Sequence, residues 1–182
     1  MTTITAFHDP DVGTWIAADQ QTSGNDLRLP AATCKLIRFG QYVVGVTGEH
    51  RTINVLEEEG FESSFDGIAD AMDRIRIILD QAEYKASNDH GAPHMAGHYL
   101  LAGPDGVWDV DGSLSYTRIN DNTLWAAGSG SELAIGAGHV LTALGVDPSQ
   151  IVVTAIQTAA TYDVWTGSTV TTRFIPALPK TT

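Results

Sequence analysis

A threonine at position 2 opens a strand-like run, Thr3-Ile4-Thr5-Ala6-Phe7, and becomes the first residue once Met1 is removed. A terminal threonine is nucleophile and base in one residue. Its hydroxyl can attack a carbonyl carbon while its own α-amine, with an ordinary pKa of about 7.7 to 8.0, takes up the proton near neutral pH. A retained Met1 would turn that amine into a peptide nitrogen and remove the base. A Met-Thr start is equally the start of an ordinary strand, so further residues must bear on the choice. Asp19 follows the strand candidate Trp15-Ile16-Ala17-Ala18 and Lys35 lies at the next, so both can lie beside Thr2 on neighbouring strands. There the ammonium would lower the cost of deprotonating the hydroxyl, and the carboxylate would hold the lysine by a charge-assisted hydrogen bond. The same two residues also make an ordinary structural ion pair.

Elements able to hold these residues together follow from periodicity. Alternation over Thr3 to Phe7 and strand character over Gly13 to Ala18, about the turn formers His8-Asp9-Pro10-Asp11, predict an N-terminal hairpin of half-buried strands. Gln20 to Ala32, with Ser23-Gly24-Asn25-Asp26 and Pro30, reads as a turn-rich segment, and Cys34 to Phe39 and Tyr42 to Thr47 make a second hairpin about Gly40-Gln41. Helical spacing follows over Arg51 to Glu59 and Phe65 to Tyr84, where Ile68, Met72, Ile75, Leu79 and Ala82 share one face. After a loop from Ser87 to Gly97 come short strands: His98 to Ala102, Gly106 to Val110, Ser113 to Ile119 and Leu124 to Ala127. A helix stopping at Gly145, a helix opened by Pro148, a strand-like run Asp163 to Thr166 and a strand Thr169 to Ile175 complete the order. Hairpins with helices on their faces predict an α+β fold of mainly antiparallel sheets rather than a βαβ nucleotide pattern. Trp15, Trp108, Trp125 and Trp165 all fall in strand candidates and read as core. No linker or repeat divides residues 1–182, which read as a single domain.

Composition narrows the function classes. A chain of 182 residues, 43% hydrophobic and 18% charged, fits one soluble core that needs neither disulfide nor metal. The single cysteine, Cys34, excludes an internal disulfide framework and a cysteine-rich zinc site. Ten Lys and Arg against 22 Asp and Glu, a net of −12, argue against nucleic acid as a partner. No run approaches the ~20 apolar residues of a membrane span, and Met1-Thr-Thr-Ile-Thr5 has neither basic nor long apolar signal regions, so a cytoplasmic, membrane-free protein is expected. His90, His94 and His98 have helical spacing, but Gly91, Pro93 and Gly97 interrupt any helix that would present them together. Phosphate-loop and Gly-x-Ser-x-Gly signatures are absent.

A set of short motifs occurs in order: Met-Thr-Thr-Ile at the start, Ala17-Ala18-Asp19, Ser23-Gly24-Asn25, Lys35-Leu36-Ile37-Arg38, Gly45-Val46-Thr47-Gly48 and Gly128-Ser129-Gly130-Ser131. Together they resemble the proteasome β-subunit family, above all its bacterial HslV-type (ClpQ-like) branch, from Thr2 to about Ile175. The resemblance implies the four-layer αββα sandwich of the N-terminal-nucleophile hydrolases. It implies Thr2 as nucleophile, Asp19 and Lys35 as its activating pair, Gly48 at the oxyanion hole and Ser129 as the hydroxyl that positions the terminal amine. Asp163-Val-Trp-Thr166 falls where related subunits carry an Asp-x-x-Ser pair or, in the HslV branch, carbonyls around a cation. By that resemblance Ala160, Asp163 and Thr166 would line a structural Na or Mg site, with no cofactor required for the chemistry. Glu49-His50-Arg51 departs from the family's usual Gly-x-Ala-Asp continuation, so the substrate wall there differs.

The implied activity is that of a threonine-type endopeptidase acting on unfolded polypeptide inside a homo-oligomeric ring or stacked rings, fed by a separate ATP-driven AAA+ unfoldase. Two other readings keep the fold: a non-catalytic ring or scaffold protein that retains Met1, and a small-amide hydrolase.

Overall fold

β1 (Thr3–Asp9) and β2 (Gly13–Asp19) form the expected hairpin, with Ile4 opposite Ala18 and Phe7 opposite Trp15. The computed structural model describes residues 2–24, 27–32, 34–48, 50–59, 64–82, 86–87, 93–94 and 97–179. Where alternation predicts a half-buried strand, β1 is buried on both faces. Ile4 and Ala6 enter the core between the sheets, and Phe7 packs on the opposite side with Thr3 and Thr5. An unpartnered buried hydroxyl costs roughly 1 to 3 kcal/mol, so threonine is tolerated there only with a partner. Thr5 Oγ1 has one in the Val152 carbonyl at 2.8 Å.

β3 (Gln21–Gly24) and β4 (Leu27–Ala32) pair antiparallel, which corrects the turn-rich reading of residues 20–32. β3 is polar, and Pro30 within the largely apolar β4 reads as a turn former, so the ladder was hidden from a periodicity reading. β5 (Leu36–Phe39) and β6 (Tyr42–Val46) are the second hairpin, followed by α1 (His50–Glu59) and α2 (Ile68–Gln81). The buried face of α2 holds Met72, Ile75 and Leu79 as its spacing predicts, together with Ala71 and Ile78. Short β7 (Ala86–Ser87) and β8 (Pro93–His94) pair within the segment read as a loop. His90 lies outside the described residues.

β9 (Tyr99–Gly103), β10 (Gly106–Val110), β11 (Tyr116–Arg118) and β12 (Leu124–Gly128) come next. β11 is shorter than predicted because Asp111 Oδ1 accepts the N–H groups of Ser113 and Ser115, and Leu114 turns with φ 65°. α3 (Ser131–Ala143) and α4 (Pro148–Tyr162) precede β13 (Val170–Pro176). Asp147 caps α4 by accepting the Ser149 N–H at 2.9 Å, and Pro148 supplies a first-turn φ already suited to helix. Residues 163–166 form a turn instead of the predicted strand-like run, because the Asp163 carboxylate takes the Trp165 N–H and the Thr166 hydroxyl. Trp165 is therefore not a strand residue.

The strands assemble into a sheet ordered β12-β1-β2-β13 and a sheet ordered β11-β10-β9-β6-β5, antiparallel throughout. Ile4, Ile16, Leu36, Val43 and Leu100 fill the space between them. α4 covers the outer face of the first sheet through Val152, Ala155 and Ile156, while Ile53, Leu56, Met72 and Ile75 of α1 and α2 cover the second. At roughly 1.5 to 3 kcal/mol for each large apolar side chain fully buried, these three cores bring the N-terminus, the end of β2 and the start of β5 to one end of the sandwich.

Candidate active site

Thr2 is buried immediately before β1, and its carbonyl accepts the Ser129 N–H at 3.0 Å, which fastens the N-terminus to the end of β12. One residue on, the Thr3 N–H donates to Asp19 Oδ1 at 2.8 Å. Lys35 Nζ donates to the same oxygen at 3.0 Å, and both side chains of that ion pair are almost wholly shielded from water. Asp19 Oδ2 accepts the N–H groups of Gln21 and Gly167, each at 3.0 Å. Every side of this carboxylate is thus satisfied, the condition under which a buried charge is tolerated. Burial pushes the Lys35 ammonium below its ordinary pKa, and the Asp19 carboxylate opposes that fall. The residues predicted at positions 2, 19 and 35 are brought together.

On the other side of Thr2, Ser129 Oγ donates to Asp163 Oδ2 at 2.6 Å. Thr166 Oγ1 donates to the same oxygen at 2.5 Å, so its only proton is committed. The Thr3 hydroxyl, 2.5 Å from Thr166 Oγ1, must then be the donor in that contact, and it accepts from the Gly130 N–H at 3.0 Å. A directed chain runs from Gly130 through Thr3 and Thr166 to Asp163. Burial works against the Asp163 charge, but the bonds from Ser129, Thr166 and Trp165 outweigh it and hold the carboxyl below its usual range. Thr3 was missed in the sequence because a threonine on a strand is unremarkable. Its signal is a buried register position, where a hydroxyl needs a partner.

Gly48 follows β6 with φ 102°, a conformation that favours glycine. Its neighbour Thr47 lies beside the N-terminus: a Cβ placed on Gly128 would collide with the Thr2 carbonyl and come within 3.3 Å of the Thr47 methyl. Ala160 sits in the last turn of α4, where carbonyls lack intrahelical partners, and the Asp163 carbonyl accepts the Thr166 N–H at 3.1 Å. Ser129 and Thr166 meet through Asp163, whose Oδ2 accepts from both hydroxyls. Among the described residues no group of three His, Cys, Asp or Glu is arranged to hold a metal ion, and no helix is long and apolar enough to cross a membrane.

His98 forms an ion pair instead, its Nε2 2.7 Å from Asp109 Oδ1. That carboxylate raises the imidazole pKa above 6.5 against the opposing effect of burial, and Asp111 adds to the rise. With the folded value above the unfolded one, the pair's stabilisation is complete below the unfolded pKa and is lost as pH climbs through the folded value. Melting temperatures of wild type and His98→Gln across pH 5.5 to 8.5 should therefore converge as pH rises; a gap that widens with pH would contradict the sign.

The chain is a four-layer αββα sandwich with a buried Asp–Lys pair against the start of its first strand, and it shares this fold with solved structures. The BPH protein of Thiobacillus denitrificans superposes with TM-score 0.82 at 22% identity, over 98% of this chain and all of that one. Its complex with epoxomicin gives 0.81 at 20% identity, over 98% and 100% of the two chains. Eukaryotic HslV from Trypanosoma brucei gives 0.72 at 18% identity, over 96% and 99%. No protein-family model and no curated protein matches the sequence, so the likeness is one of fold.

Proposed function

We propose that this chain is a threonine-type peptidase whose nucleophile is Thr2, freed by removal of Met1. The observation that carries the reading is the buried Lys35–Asp19 pair hydrogen-bonded to the Thr3 N–H, one residue from that hydroxyl. Thr2 Oγ1 attacks the scissile carbonyl carbon while its α-amine accepts the hydroxyl proton. The Lys35 ammonium stabilises the developing alkoxide. The Gly48 N–H faces the tetrahedral oxyanion, a contact worth roughly 3 kcal/mol where single donors have been removed. As the C–N bond breaks, the protonated amine returns its proton to the leaving nitrogen, and water then hydrolyses the acyl ester. Ser129 gives its proton to Asp163, so its remaining lone pairs are available to accept from the Thr2 ammonium and orient it.

A Na or Mg ion on the carbonyls of Ala160, Asp163 and Thr166 belongs to the same reading as a structural accessory that would stiffen the turn carrying Asp163. Unfolded polypeptide as substrate, a separate ATP-driven unfoldase and a homo-oligomeric ring belong to it too. For the last there is a surface that favours self-association. α3 and α4 together carry a single Asp, Glu, Lys or Arg residue, Glu132, in a chain of net charge −12. Val140, Leu144 and Tyr162 are exposed on this layer. Acidic copies can meet there without like-charge repulsion. Val140→Asp is expected to shift the assembly toward smaller species in sedimentation velocity; an unchanged distribution would remove this face from the interface.

The test of the activity is intact mass after treatment with a peptide epoxyketone such as epoxomicin, the ligand in one of the neighbouring structures. Such an electrophile needs a free hydroxyl and a free amine on one residue. Loss of the methionine mass plus one adduct per chain, absent from Thr2→Ala, supports the reading. Retained Met1 without adduct would leave a scaffold, and turnover of small amides without unfolded protein would leave an amide hydrolase.

A further inference from the structure

The direction of the Gly48 N–H depends on the peptide plane it shares with the Thr47 carbonyl, because the two point oppositely in a trans peptide. Whatever holds Thr47 therefore aims the proposed oxyanion donor. Among the described residues, the hydrogen bonds that hold Thr47 all run to His98. Its N–H donates to the His98 carbonyl at 3.0 Å, its Oγ1 donates to the same carbonyl at 2.6 Å, and the His98 N–H donates back to Thr47 Oγ1 at 2.9 Å. Gly97, with φ 140°, passes so close that a Cβ on it would collide with the Thr47 carbonyl oxygen. The carbonyl is thus confined on the side facing Gly97, and the Gly48 N–H is turned away from it.

His98 is itself anchored from a different strand. Its Nε2 lies 2.7 Å from Asp109 Oδ1 on β10, an ion-pair contact without the geometry of a hydrogen bond, and both atoms are closed off from water although the imidazole is partly exposed. β9 begins at Tyr99, so the ring contact ties down a residue just outside the regular ladder.

We propose that His98 and Asp109 are positioning residues for the oxyanion donor: Asp109 pins the imidazole, the His98 peptide holds Thr47, and Thr47 aims the Gly48 N–H. This rests on the assignment of Gly48 in the preceding subsection. Neither side chain touches the reacting atoms. Misplacement of a catalytic group by about 1 Å can cost on the order of 100-fold in rate, and partial release of this latch should cost less, about tenfold.

The experiment compares wild type, Asp109→Ala and Asp109→Asn in steady-state hydrolysis of a short peptide amide, in binding of a peptide aldehyde, and in hydrogen exchange of the peptide covering Val46 to Gly48. Asp109→Ala should lower kcat by about tenfold with KM changed less than twofold. Affinity for the aldehyde, whose adduct carries the oxyanion, should fall by the same factor. Exchange at Thr47 and Gly48 should quicken. Asp109→Asn, which keeps the size of the side chain and removes the charge of the ion pair, should show most of the same loss. Epoxyketone labelling amplitude counts intact sites, so a defect in folding shows there and not in kcat per site. If Asp109→Ala does not fold, His98→Phe, which keeps a ring and loses the contact, replaces it. Unchanged exchange at residues 46–48 overturns the latch, and quickened exchange with unchanged kcat overturns its role in catalysis. If wild type takes no adduct at Thr2, it is the peptidase assignment that falls, and the exchange measurement alone then decides whether the latch exists.

Discussion

Thr2→Ala is expected to abolish peptide hydrolysis, lowering kcat by on the order of 10⁵-fold or more, the scale seen when the nucleophile of a covalent mechanism is removed. Thr2→Ser should keep the reaction within about tenfold, since it retains a hydroxyl and a terminal amine. The fold should be indifferent to both changes. The Thr2 carbonyl, which accepts the Ser129 N–H, survives any side-chain replacement. The measurement is steady-state turnover beside a melting curve. Equal activity in wild type and Thr2→Ala, with intact folding, would remove the N-terminal nucleophile and with it the mechanism. A chain made without Met1 should match the processed wild type, whereas one extended by an uncleavable residue before Thr2 should be as inactive as Thr2→Ala.

Asp19→Ala is expected to damage both stability and turnover. It leaves the Lys35 ammonium, 2% exposed, with no carboxylate, and strips the Thr3, Gln21 and Gly167 N–H groups of their acceptor. Breaking a buried pair by deleting one member costs about 3 to 5 kcal/mol, a large share of the stability of a domain this size. Urea denaturation of the single variant measures it. Asp19→Ala combined with Lys35→Met should regain part of the lost stability, because the unpaired charge is gone, without regaining any turnover. If the double variant recovered activity, Lys35 would have no part in activating Thr2. If Asp19→Ala were as stable as wild type, the pair would not be the buried, fully bonded unit described above.

The sequence carried much of this site. Thr2 as the proposed nucleophile was suggested by its place next to Met1, since a hydroxyl and a free amine meet in one residue only at a processed terminus. Asp19 and Lys35 were legible because each stands at the edge of an apolar run, where β-strand geometry brings neighbours together. The α2 face, the Asp147–Pro148 helix start and the hairpins about residues 10–12 and 40–41 are local, and local chemistry is written in consecutive residues. Readings failed where polar side chains hydrogen-bond to nearby backbone. Asp111 curtailed β11 and Asp163 bent residues 163–166 into a turn, in each case through a carboxylate competing for N–H groups a strand would have used. The β3–β4 ladder escaped because β3 is polar and Pro30 within β4 reads as a turn former.

Composition, covalent order and local periodicity therefore determined the class of fold, the net acidic charge and the pairing partners Asp19 and Lys35. The tertiary structure alone decided what those residues touch. Gly167 reaches Asp19 across 148 positions of chain, and Thr166 meets Thr3 across 163, through a register that no window of sequence contains. Asp109 finds His98 only because β9 and β10 pair with Leu100 opposite it, and Thr47 finds His98 only because β6 lies on the other side of β9. Such contacts depend on which strands become neighbours and on how the sheets stack, and burial energy summed over the whole core selects both.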